Sequence, residues 1–166
     1  SDEVEHPTIL IGKDTRLSGD MLEGALIAGL CSVGANVHIL GVVPTPAVAY
    51  LVGKYNADAG IMISASHNPF EFNGIKIFSS DGCKLPDDLE NRIEEIVLDH
   101  VVPYASATDE NIGRVTYDTE AADLYIDHLV SAVDCDFEGM EIALDCSNGS
   151  SSRTAEKLFT KLGAKV

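Results

Sequence analysis

Three short apolar runs, separated by helix-length stretches, limit what this chain can become. Thr8-Ile9-Leu10-Ile11-Gly12, Val37-His38-Ile39-Leu40 and Ala59 to Ile63 each read as a buried strand. Between the first two, Leu22, Ala25, Leu26, Gly29, Leu30 and Val33 recur at helical spacing, with Ser18 as a predicted N-cap and Gly34 as a stop. Between the second and third, Pro44-Thr45-Pro46 breaks the chain, with Thr45 as predicted cap and Pro46 at the first helical position. Val48, Ala49, Leu51, Val52 and Tyr55 then line one side of a helix. Strand, helix, strand, helix, strand implies a parallel sheet covered by helices. In such sheets ligands gather beyond the carboxyl ends of the strands.

Further on, Ile75-Lys76-Ile77-Phe78 alternates like another strand, and Asp81-Gly82 reads as a turn. Pro86 opens a helix with Leu89, Ile93, Ile96 and Val97 on one face. Residues 101–118 lack helical periodicity and contain Pro103 and Gly113, so a domain boundary is expected there: domain one over 1–115, a second over 116–166. Glu120 to Val133 is amphipathic, with Leu124, Tyr125, His128, Leu129, Ala132 and Val133 expected inward. Glu141 to Asp145 reads as a strand, followed by a Ser147-Asn148-Gly149 turn and a helix carrying Ala155, Leu158, Phe159 and Leu162. One βα unit cannot bury both of its faces, so the second domain is expected to be incomplete. The fold class is α/β: a mixed, mostly parallel sheet sandwiched by helices, plus the start of a second, similar domain.

The 166 residues are 45% hydrophobic, enough for a packed core, and no stretch is long and apolar enough to span a bilayer. Net charge is −16, with −5 carried by residues 1–83 and −11 by residues 84–166. That field repels nucleic acid and anionic membranes, and a phosphorylated ligand needs local cations or backbone N–H groups. Cys31, Cys83, Cys135 and Cys146 form no C-x-x-C pair, which argues against zinc. Reduced, mostly buried thiols in a cytoplasmic protein are expected, since no charged-then-apolar leader opens the chain.

The third strand runs directly into Ser64-Ala65-Ser66-His67-Asn68-Pro69, and Asn73-Gly74-Ile75-Lys76 follows. Hydroxyl, imidazole and amide groups at the end of a buried strand suit a nucleophile at a sheet edge. A serine hydroxyl is weak at neutral pH and needs a base, a metal or a prior modification. His67 is adjacent to Ser66, yet neighbours on an extended chain point to opposite sides, so the two need not form a dyad. No G-x-S-x-G elbow is present, which weighs against acyl transfer. On the residues alone an ordinary Ser/Asn turn also fits, and Ser64 and Ser66 are not separable. Lys76 suits a phosphate anchor or proton acceptor, or a solvated strand lysine. Arg16 suits a phosphate clamp, or a plain pair with Asp14.

The Ser64–Pro69 loop with Asn73-Gly74-Ile75-Lys76 resembles the phosphoserine loop of the α-D-phosphohexomutases. Gly12-Lys13-Asp14-Thr15-Arg16-Leu17-Ser18-Gly19, Val43-Pro44-Thr45-Pro46 and Leu144-Asp145-Cys146-Ser147-Asn148-Gly149 resemble that family in the expected order. The form with Ile63 before the loop is most similar to the bacterial branch acting on glucosamine phosphates. The resemblance implies that Ser66 carries a phosphoryl group and passes it to a hexosamine phosphate. A bisphosphate intermediate then turns over and returns the other phosphate, in amino-sugar and cell-wall precursor synthesis. It implies Mg²⁺, contacted by the Ser66 phosphate, with His67 and Lys76 assisting proton transfer or charge stabilisation and Arg16 and Asn68 contacting substrate phosphate. The family's Asp-Gly-Asp-Gly-Asp metal loop does not occur in these 166 residues. Nor do its sugar-discriminating loops or the arginine loop expected before Ser1. The chain alone is therefore expected to be inactive. Glucose or mannose phosphate as substrate, or a non-catalytic α/β binding module, are the alternative readings.

Overall fold

A computed structural model describes residues 6–99 and 106–166. Its elements are β1 (Thr8–Lys13), α1 (Gly19–Ser32), β2 (Asn36–Val42), α2 (Thr45–Tyr55), β3 (Ala59–Ile63), β4 (Ile75–Ser79), α3 (Asp87–Asp99), β5 (Val115–Tyr117), α4 (Ala121–Ala132) and α5 (Ala155–Lys161). Short 3₁₀ turns cover Asp109–Asn111 and Ser150–Arg153. The five strands form one sheet in the order β4-β3-β1-β2-β5. All neighbours are parallel except β3 and β4, giving the mixed, mostly parallel sheet expected.

Period-two alternation divides the core between the two faces of the sheet. Leu10, Leu40 and Met62 pack with Val48, Leu51 and Val52 of α2 and with Ala121 and Tyr125 of α4. Ile11, Ile39, Ile61 and Ile63 point the other way, toward Leu22, Leu26, Ile27 and Leu30 of α1. Helix α2 sits unusually close to the sheet because two strand positions have no side chain. A Cβ on Gly60 would lie 2.5 Å from Val52 Cγ2 and 2.9 Å from Val48 Cγ1, and one on Gly12 would lie 2.6 Å from Val48 Cγ2.

A polar knot joins β2, α2 and the start of α4. Tyr55 donates its hydroxyl to Asp118 Oδ2 at 2.5 Å, and His38 Nε2 lies 3.2 Å from the same oxygen. The His38 and Tyr55 rings stack with centroids 5.0 Å apart. Asp118 Oδ1 accepts the amides of Glu120 and Ala121, capping α4. Burial alone would push the Asp118 carboxyl up, but the Tyr55 hydroxyl, these two amides and His38 together hold it below the usual carboxylate range. Burial and the Asp118 carboxylate push the Tyr55 phenol up. Ion pairs Lys157–Asp123 and Lys161–Asp127 then tie α5 to α4.

Several expectations change. Glu141–Asp145 forms no strand: its pairing is a single bridge, Glu141 to Lys165, too little for a ladder. Residues 115–117 do form one, on the far edge of the sheet beside β2. Ser18 flanks α1 but makes no side-chain cap: its backbone is already helical, with φ of −70° and ψ of −10°, and its hydroxyl accepts from Asn73 Nδ2. Helix α2 begins at Thr45 with Pro44 as the flanking residue, one position earlier than expected. The inward stripe of α1 runs through Leu22, Leu26, Ile27 and Leu30, whereas Ala25, Gly29 and Val33 are exposed. Ala132 and Val133, both expected inward, are also exposed; Ala132 is the last residue of α4 and Val133 lies beyond it. The thiols are not mostly buried: Cys83 and Cys135 are exposed, Cys31 and Cys146 half-buried, and all four are free. The expected turn signal at Pro103 lies outside the described residues.

Candidate phosphoryl-transfer site

Sheet register brings the functional loops together. Lys13 at the end of β1 pairs with Ile63 at the end of β3 and with Val42 at the end of β2. The loops that follow these strands therefore leave the sheet side by side. They line an open cleft of about 740 Å³ with Asp14–Leu17, Pro44–Pro46 and residues of the Ser64–Phe70 loop. The Cys146–Ser151 turn closes the opposite side. Thr15 donates its hydroxyl to the Asn148 carbonyl, linking the first loop to that turn.

Ser66 occupies the exposed tip of its loop with φ of 56°, a left-handed conformation uncommon for a residue with a side chain. Its amide donates to the buried Ser64 hydroxyl at 3.0 Å. The two serines thus differ in kind: Ser64 shapes the turn from inside, and Ser66 presents its hydroxyl outward. Antiparallel pairing of β4 with β3 sets Lys76 opposite Met62. From there Lys76 Nζ donates to Ser66 Oγ at 2.6 Å. The adjacent His67 and Asn68 are exposed and line the cleft. An ammonium group against a serine oxygen can stabilise negative charge there and deliver a proton to it.

Arg16 is placed differently from an open phosphate clamp. Its Nε donates to Asp14 Oδ2 at 2.9 Å. Nη1 donates to the carbonyls of Pro69 at 2.7 Å and Phe72 at 3.0 Å, and Nη2 to those of Ser66 at 3.0 Å and Asn68 at 2.9 Å. All five guanidinium N–H groups are thereby used within the chain. Asp14 itself is anchored to the sheet, its amide donating to the Ile63 carbonyl at 3.0 Å. The sequence offered a phosphate contact or a pair with Asp14; the pair is present, and the four loop carbonyls went unforeseen. An Asp two residues before the Arg signals the pair, but no local pattern signals carbonyls fifty or more residues away. Ser64 as an internal acceptor was likewise not distinguished, although its place at the end of an apolar strand favours burial.

Residues 2–101 match the family model described as phosphoglucomutase/phosphomannomutase, alpha/beta/alpha domain I. The chain belongs to the phosphoglucomutase/phosphomannomutase family. It is 54% identical to a phosphoglucosamine mutase of Clostridium novyi over 96% of its length and 36% of that protein's. It is 53% identical to a phosphoglucosamine mutase of Acetivibrio thermocellus over 100% of its length and 37% of that protein's. A crystal structure of a phosphoglucomutase/phosphomannomutase family protein from Burkholderia thailandensis superposes with a TM-score of 0.75 at 28% identity. That likeness covers 96% of this chain and 34% of the other. The chain spans a little over a third of the length of the curated relatives it matches.

Proposed function

We propose that the protein containing this chain is a phosphoglucosamine mutase, interconverting glucosamine 6-phosphate and glucosamine 1-phosphate through a phosphoserine at Ser66. The observation that carries the reading is the 2.6 Å contact of Lys76 Nζ with Ser66 Oγ on a left-handed loop at the mouth of the cleft. The names of relatives more than half identical support the amino-sugar substrate.

In the forward half-reaction the bond between phosphorus and Ser66 Oγ breaks as a bond forms to the sugar hydroxyl oxygen. A phosphoryl group moves to the sugar and a proton moves to the serine oxygen. In this reading Lys76 delivers that proton, supported by its contact with Ser66 Oγ, and His67, exposed beside the cleft, takes up the one leaving the sugar hydroxyl. The bisphosphate then presents its other phosphate, and the same exchange runs backward. Asn68 remains a candidate contact for the sugar phosphate at the cleft wall.

Mg²⁺ is the ion this chemistry calls for, to neutralise phosphoryl oxygens. Among the described residues no three His, Cys, Asp or Glu side chains converge to hold a metal. Asp14, the buried carboxylate beside the serine loop, is taken up by Arg16. These residues do not form a Mg²⁺ cage. Among the described residues no helix is long and apolar enough to cross a membrane. The reading sets the protein in the cytoplasm, a compartment that keeps cysteines such as these four reduced.

The test uses the full-length protein with Mg²⁺ and a catalytic amount of hexose bisphosphate. A higher kcat/KM for glucosamine 6-phosphate than for glucose or mannose phosphates is expected. Equal or reversed preference would remove the amino-sugar assignment, and no turnover of any of them would remove the mutase assignment.

A further inference from the structure

We propose that Arg16 is a positioning residue whose role is to hold the Ser66 loop in its reactive shape, not to bind substrate. Residues Ser66 to Phe72 are all exposed and lie outside every strand and helix, so no ladder fixes them. Their backbone turns supply the bonds from the Asn68 amide to Ala65 and from the Phe72 amide to Pro69, and Ser66 adds its amide bond to Ser64 Oγ and the Lys76 contact at its own Oγ. Ser66 nevertheless keeps a left-handed backbone, a state that persists only where the surroundings over-determine it.

Arg16 supplies the larger share of the contacts that hold the loop, four carbonyl bonds in all. Its side chain is only 11% exposed, against an Asp14 side chain 9% exposed. It collects the carbonyls of Ser66, Asn68, Pro69 and Phe72 onto one planar fork. Asp14 fixes the fork to the end of the sheet. With the loop carbonyls gathered inward, the Ser66, His67 and Asn68 side chains are left lining the cleft. Lysine cannot substitute, because a tetrahedral ammonium has three donors and no fork. The part of the inference that concerns turnover rests on the mutase reading; the part that concerns loop geometry does not.

The test compares full-length wild type with Arg16→Lys. Hydrogen exchange at amides 66–72 is expected to accelerate while amides of β1 and β3 stay protected. The kcat is expected to fall roughly 10²-fold, the scale of a misplaced reacting group, with KM for the sugar phosphate essentially unchanged. A raised KM at unchanged kcat would make Arg16 a substrate ligand and overturn the proposal, as would unchanged exchange over 66–72. Should Arg16→Lys lose protection in β1 and β3, Asp14→Asn, which loosens the fork without deleting a donor, is read by the same two criteria. If wild type shows no mutase turnover, the functional reading fails, and the exchange arm alone still decides whether Arg16 holds the loop.

Discussion

The close seat of α2 on the sheet makes a quantitative prediction about Gly60. An alanine Cβ there meets Val52 Cγ2 at 2.5 Å and Val48 Cγ1 at 2.9 Å, against about 3.5–4.0 Å for carbon atoms in favourable contact. Both valines are fully buried and cannot swing aside. Overpacking of this kind costs about 1–3 kcal/mol. For a chain of this size that lowers Tm by roughly 2–12 °C, at about 2–4 °C per kcal/mol. Val52→Ala alone removes two buried methyl-sized groups and costs about 2 kcal/mol in transfer and cavity terms. In the double variant the new Cβ enters the space Val52 vacates, while the contact with Val48 remains. The two effects should therefore fail to add, with the pair about 1 kcal/mol or more less destabilised than the sum. Urea melts of wild type, both single variants and the double variant, followed by far-UV circular dichroism, supply the cycle. Additivity within about 0.5 kcal/mol would show that α2 is not held against Gly60 as described.

Three other outcomes follow from the same geometry. If the full-length protein works as proposed, Lys76→Ala should lower its kcat by about 10²–10⁴-fold, the range for removing a proton-transfer group, with a smaller loss for His67→Ala. Because the folded-state Asp118 carboxyl is held below its ordinary value of 3.8, its contribution is present above that value and is lost as pH falls through the folded value. Asp118→Asn should thus flatten the acid limb of a stability-against-pH curve below about pH 4; an unchanged acid limb would contradict the Tyr55–Asp118–His38 account. Asp118→Ala should cost more than Asp118→Asn, about 2–4 kcal/mol by chemical denaturation, since it strips the α4 cap and leaves the Tyr55 hydroxyl unpaired.

The period of the apolar residues sufficed for β1 to β4 and for the five helices, most directly for α1, α2 and α4, whose apolar faces pack on the core. It failed where pairing is non-local or short. Val115–Tyr117 is exposed on every residue and exists as a strand only because β2 lies beside it. Glu141–Asp145 carries a strand-like pattern but, among the described residues, finds only Lys165 to pair with. The candidate site shows the same division. Order and spacing of Ser64, Ser66, His67 and Lys76 are local, and their gathering at one end of the sheet was legible from them. The separation of the two serines is not: it depends on Ser64 turning inward to accept the Ser66 amide and on Lys76 returning along β4 to reach Ser66. Arg16 was the hardest residue to read, since four of its five bonds cross to a loop that follows another strand.

The account stands on Ser66 as the phosphoryl carrier. Intact mass of the full-length protein before and after phosphatase treatment, with peptide mapping across residues 60–76, measures this directly. A single phosphate on Ser66, absent from Ser66→Ala, is the predicted result. Phosphate on Ser64 would contradict the account, as would an unmodified loop in a protein that still turns over sugar phosphate.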